Sequence, residues 1–175
     1  MIIKDANVFT QDNCFVRTDV VVKDGKFAAI SDIPEGAGEV IEADGLYMIP
    51  GLVDIHFHGC KGADMCDGTR EALDVIAAYE ASVGVTSICP ATMTIPKDEL
   101  VKVMKNAGEY SYNGGAHIVG INMEGPFISP SKKGAQAADN IMHCDYEYFC
   151  KLQEAANGLI KLVDIAPEEP GAMEF

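Results

Sequence analysis

The chain has 175 residues, enough for one ordinary domain with additions. Hydrophobic residues make up 48% and charged residues 23%, the balance of a globular chain with a sizeable core, which excludes a disordered one. The formal net charge of −14 excludes the basic footprint of a nucleic-acid binder, although a few local donors inside a pocket can still accept an anionic small molecule. From the start, segments 2–9, 15–23 and 26–31 alternate or cluster Val, Ile and Phe as strands do, and Asp24-Gly25 is a hairpin turn signal. Segment 38–42 and the run Leu46 to Ile49 flank a second turn at Asp44-Gly45. Residues 1–49 therefore read as part of a small β-sheet domain.

From Pro50 the period changes. Leu52, Val53 and Ile55 suggest a buried strand. Residues 69–82 carry helical spacing at Leu73, Ile76, Ala77 and Glu80, with Thr69 as N-cap and Gly84 beyond the end. A strand over 85–94, a helix over 97–109 with Leu100, Val103 and Met104 on one face, and a strand over 117–123 follow. After a long loop, 125–143, come a helix over 145–156 and a strand over 159–166. The order βαβαβαβ implies parallel strands joined by right-handed crossovers. A complete (β/α)8 barrel takes roughly 250 residues, and residues 50–175 supply about half of that. The expected fold class is α/β, the first half of a TIM-like (β/α)8 barrel, with a closed four-strand α/β fold as the alternative. A half-barrel leaves an open edge strand and an uncovered apolar face, which invite association.

The main chemical signal is PGLVDIHFHG, residues 50–59. Strand alternation puts Asp54, His56 and His58 on one face, and two imidazoles so spaced can grip one ion. Gly59 ends the strand, so the pair lies at its C-terminal end, where barrel enzymes do their chemistry. The second signal is NMEGPF, residues 122–127. Glu124 ends an apolar strand at the same end of the sheet, where a carboxylate is either solvated at the rim or paired with a cation.

PGLVDIHFHGC, EGPFISP, KKGAQ and DIAPE, in this order, resemble the N-acetylglucosamine-6-phosphate deacetylases of the amidohydrolase superfamily. The resemblance covers nearly all of the chain and implies a small β-sandwich, built from both ends of a longer chain, beside a (β/α)8 barrel. Residues 1–49 would then be part of the sandwich and 50–175 the first half of the barrel. It implies metal binding by His56, His58 and Glu124, with one or two divalent ions, Zn²⁺ or Fe²⁺. It places Ala135 and Gln136 where a loop contacts the sugar, although many relatives have His at the Gln136 position. The implied reaction is hydrolysis of the acetamide of N-acetylglucosamine 6-phosphate to glucosamine 6-phosphate and acetate, and the implied assembly a homodimer. The family's catalytic Asp and two further metal-binding histidines would lie beyond Phe175, so the chain alone is expected to be inactive. Asp54 is expected to orient the strand or a ligand rather than to bind metal.

The remaining features are read as structural. Cys14, Cys60, Cys66, Cys89, Cys144 and Cys150 match no CxxC zinc spacing and are expected as free thiols. His117 is expected at a strand start and His143 on a loop surface. Lys132 and Lys133 either approach a phosphate or are simply solvated. No apolar run is long enough to cross a membrane, and the first residues lack the order of a signal peptide, so a cytoplasmic location without a membrane partner is expected. Two other functions stay open: a different amidohydrolase, such as a cyclic-amide hydrolase or a deaminase, and a non-catalytic interaction module.

Overall fold

The computed structural model describes residues 1–28 and 38–175. Contacts divide the chain into two compact units, Met1–Pro50 and Gly51–Phe175. In the first, β1 (Ile2–Phe9), β2 (Phe15–Lys23), β3 (Lys26–Ala28), β4 (Val40–Glu42) and β5 (Tyr47–Met48) form one five-stranded sheet. β2 pairs antiparallel with β1 and β3, whereas β4 and β5 both lie parallel to β1. The expected turns are present at Asp24-Gly25 and Asp44-Gly45. The strand expected over 26–31 is formed to Ala28; its last residues lie outside those described. Phe9, Phe15, Phe27 and Tyr47 stay exposed, so this sheet covers little of its own apolar surface.

The second unit runs β6 (Leu52–Asp54), β7 (Gly59–Cys60), β8 (Ala63–Asp64), α1 (Arg70–Ser82), β9 (Val85–Ile88), α2 (Lys97–Gly108), β10 (His117–Ile118), β11 (Ile121–Met123), α3 (Tyr146–Ala155) and β12 (Ile160–Val163). Setting aside the small hairpin β7–β8, the order is the expected strand–helix alternation. Each of β6–β9, β9–β10 and β11–β12 is a parallel pair, and a bridge from Ala91 to Asn122 links the two groups. Strands paired in chain order, with helices between them, make a partial (β/α)8 barrel. Side-chain caps start two of the helices, α1 and α3. Thr69 Oγ1 accepts the Ala72 N–H at 3.2 Å, and Asp145 Oδ1 accepts the Tyr148 N–H at 2.9 Å.

Two strands differ from their expected form. The strand over 117–123 is divided at Val119-Gly120: β10 pairs with β9, β11 with β12. A Cβ at Gly120 would lie 2.6 Å from Lys161 Cγ and 3.0 Å from Cys89 Sγ, so only glycine lets the chain cross between these partners. The strand of Leu52, Val53 and Ile55 is not buried: these side chains are 51%, 62% and 54% exposed. Among the described residues β6 pairs on one side only, with β9, and is the edge of its sheet, so its apolar side chains have no second strand beside them to pack against.

The core lies between the strands and the helices. Leu73 of α1, Leu100, Val103 and Met104 of α2, Leu152 of α3, and Ile121 and Met123 of β11 form one buried cluster with Met65 and Phe127. Leu152 is fully buried there, so Leu152→Ala removes transfer energy and leaves a cavity. Urea unfolding should show a loss of about 2–5 kcal/mol; a change below ~1 kcal/mol would mean that α3 does not pack as described.

Cys66 follows β8 in the same region. Burial pushes its thiol up to about 11, against the opposing pull of the Met93 N–H donated to the sulfur; Asp64 and Asp67 push it further up. The folded chain thus holds this proton more tightly than the unfolded one. The resulting stability is fully present below the ordinary thiol range and is lost as pH rises through about 11. Iodoacetamide labelling at rising pH should reach the exposed Cys14 and Cys150 before Cys66 and the buried Cys89. Early labelling of Cys66 would contradict its burial.

Candidate metal centre

Parallel pairing sets the C-terminal ends of β6, β9, β11 and β12 along one edge. Glu124 follows β11 directly. Gly125 takes φ 72° and its Cβ position is filled by Thr94, so only glycine turns the chain away at once and leaves the carboxylate at the strand end. His56 and His58 lie past the end of β6, not within it. Strict alternation therefore does not place them. A hydrogen bond from the His56 N–H to Asp54 Oδ1, at 3.0 Å, shapes that segment, and Asp54 orients the backbone of a site residue, as expected for it.

The three side chains meet. Glu124 Oε2 is 3.1 Å from His56 Nε2 and 3.3 Å from His58 Nε2. One nitrogen from each ring and one carboxylate oxygen all lie within 4.8 Å of one another, a group able to hold a metal ion. The donor set suits a divalent transition-metal ion: imidazole and carboxylate are ordinary ligands of such ions, and three protein ligands are the usual number where a fourth position stays open. The other oxygen of Glu124 is tied down. Gln136 Nε2 donates to Oε1 at 2.7 Å, while Gln136 Oε1 accepts the Thr94 N–H at 2.7 Å. Gln136 is 4% exposed, so it stands behind Glu124 with both ends of its amide committed, whereas Ala135 beside it is exposed.

Two groups at this edge escaped the sequence reading. Asn122, buried within β11, places Nδ2 3.0 Å from His56 Nδ1 and 3.0 Å from the Ile55 carbonyl. A polar side chain inside an otherwise apolar strand was the available signal. Asp164 follows β12 as Glu124 follows β11; Met123 and Val163 are paired in register, so the two acids are lateral neighbours. Burial, first, raises the Asp164 carboxyl above its usual range; His56 pulls it down and Glu124 pushes it up, which places it beside the cluster. An acid ending the apolar run LIKLV was the same signal that marked Glu124.

The other candidates lie elsewhere. His117 stacks on Tyr112 with ring centroids 4.1 Å apart, and His143 is exposed on the loop. Lys133 Nζ donates to the carbonyls of Gln136 at 3.0 Å and Gly134 at 3.3 Å, binding its own loop, while Lys132 is exposed. Among the described residues all six cysteines are free thiols. Among the described residues no helix is long and apolar enough to cross a membrane.

No protein-family model matches the chain. It is 36% identical over 183 residues to the N-acetylglucosamine-6-phosphate deacetylase of Bacillus subtilis (strain 168), covering 100% of this chain and 46% of that protein. It is 28% identical over 175 residues to the N-acetylgalactosamine-6-phosphate deacetylase of Escherichia coli O157:H7, covering 99% of this chain and 46% of that one. The crystal structure of N-acetylglucosamine-6-phosphate deacetylase from Pasteurella multocida matches with a TM-score of 0.85 at 26% identity, over 98% of this chain and 46% of that one. The chain thus spans about half the length of the curated relatives it matches. By sequence and by fold together, over that half, it is homologous to the N-acetylglucosamine-6-phosphate deacetylases of the amidohydrolase superfamily.

Proposed function

We propose that the chain carries the metal-binding part of an enzyme that hydrolyses the acetamide of N-acetylglucosamine 6-phosphate to glucosamine 6-phosphate and acetate. One observation carries the reading: two imidazole nitrogens and one carboxylate oxygen converge at the C-terminal ends of parallel strands. In this reading residues 1–49 are part of a small β-sandwich and residues 50–175 the first half of the barrel. His56, His58 and Glu124 hold one or two divalent ions, Zn²⁺ or Fe²⁺. Bound there, the metal supplies Lewis acidity toward a carbonyl and makes water more acidic.

The chain's own residues hold the geometry. Gln136 fixes Glu124 from behind, and Asp54 fixes the backbone of His56. Ala135 is the exposed loop position offered to the sugar, and Gln136 acts on substrate through Glu124. The proton-transfer Asp and the groups that receive the phosphate come from sequence beyond Phe175, in a protein that works as a homodimer, so the chain alone does not turn over substrate.

Gln136→Leu removes the donor to Glu124 and leaves the Thr94 N–H buried without an acceptor. Chelator competition should show Co²⁺ affinity reduced about 10–100-fold, and urea unfolding a stability loss of about 1–3 kcal/mol. Unchanged affinity in the folded variant would remove Gln136 from the centre. The function itself is tested by acetate release from N-acetylglucosamine 6-phosphate, with the N-acetylgalactosamine isomer in parallel, on the longest polypeptide of the reading frame. Turnover should fall by at least ~10³-fold in His56→Ala and Glu124→Ala. A folded, metal-loaded protein with no turnover on either sugar would defeat the substrate assignment. Turnover by the 175-residue chain alone would defeat the assignment of the proton-transfer Asp to later sequence.

A further inference from the structure

The two imidazoles are held by opposite kinds of group. His58 Nδ1 lies 3.3 Å from the Ala91 carbonyl oxygen. A carbonyl only accepts, so this nitrogen carries the hydrogen, and the neutral ring keeps a bare Nε2 toward Glu124. His56 Nδ1 lies 3.0 Å from Asn122 Nδ2. An amide nitrogen only donates, so here Nδ1 accepts, and the neutral ring carries its hydrogen on Nε2, 3.1 Å from Glu124 Oε2. His58 therefore has a free lone pair facing the cluster, and His56 does not.

Asn122 is held in this orientation. The same Nδ2 donates to the Ile55 carbonyl at 3.0 Å, and turning the amide over would set oxygen against oxygen there. The side chain is 4% exposed, and its Oδ1 is buried with no partner. The donor side of the amide thus faces His56 although the acceptor side is left unsatisfied.

We propose that Asn122 is a positioning residue that presets the tautomer of His56 and makes the two histidines unequal ligands. Resting on the metal-centre reading above, His58 and Glu124 take a divalent cation first. His56 joins when one proton leaves Nε2 and one is taken up at Nδ1, with no change in net charge. The amide must then present Oδ1 to Nδ1–H and give up its bond to Ile55. Both requirements oppose His56 as a ligand, and an acceptor at position 122 would remove them.

The test is ¹⁵N NMR of the imidazole rings in the metal-free 175-residue chain, at a pH well above the ordinary histidine range. His56→Gln and His58→Gln assign the signals. Hydrogen should sit on Nε2 of His56 and on Nδ1 of His58. Asn122→Asp should move the His56 hydrogen to Nδ1 and tighten Co²⁺ binding about tenfold; Asn122→Leu should leave His56 with mixed tautomers. Both rings showing the same tautomer in the unaltered chain, or His56 unchanged in Asn122→Asp, would overturn the proposal. The tautomers need no metal. Opposite tautomers without Co²⁺ binding would support the role of Asn122 while defeating the metal-centre reading.

Discussion

The hydrogen bond from Gln136 Nε2 to Glu124 Oε1, 2.7 Å long and partly buried, is the interaction around which the strand ends are arranged. A carboxylate at the end of an apolar strand has two sets of lone pairs to satisfy. Gln136 takes one oxygen and, through the Thr94 N–H, ties that end of β11 to the chain beyond β9. The second oxygen is then directed away from the loop toward the rings of His56 and His58. Had both oxygens faced solvent, the imidazoles would have no common partner. The loop from Gly125 onward is therefore part of the site, because it carries the amide that aims the carboxylate.

Parallel topology is the second requirement. The three residues come from segments far apart in sequence, and only strands running the same way bring their C-terminal ends together. The bridge between Ala91 and Asn122 matters more than its size suggests. It joins the β9 side of the sheet to the β11 side, so Ala91, whose carbonyl faces His58, and Asn122, which faces His56, are neighbours. Two backbone neighbours thus act on the two rings with opposite hydrogen-bonding sense.

Much of this was legible in the sequence, for identifiable reasons. The helices were legible from apolar spacing, with Thr69 marking the start of the first; in the structure Thr69 caps α1 and Asp145 caps α3. His56, His58 and Glu124 were legible because charged or ligating groups at the ends of apolar strands need a reason to be there. Burial was less legible. Leu52, Val53 and Ile55 read as core because a strand pattern records what a residue prefers, not whether a neighbouring strand is present. The division at Gly120 depends on how closely Cys89 and Lys161 approach, and no periodicity encodes that distance. The hydrogen bonds of Asn122 and Gln136 were not legible for a shared reason: an amide's partners are set by what its two ends meet, and those groups lie far away in sequence.

The same accounting bears on how a sugar would be read. Gln136 has no free end, Ala135 offers no polar side chain, and Lys133 is bound to its own loop. The groups that meet at the strand ends, two imidazoles with Glu124 and Asp164 beside them, suit a cation and a carbonyl better than a set of hydroxyls. A gluco and a galacto sugar differ only in the direction of one hydroxyl, and telling them apart takes a hydrogen-bonding group placed at that hydroxyl. The relatives bear the names of both sugars while sharing this half of the chain at similar coverage. Under the proposed function, discrimination between the sugars would therefore belong to groups other than those that build the metal centre.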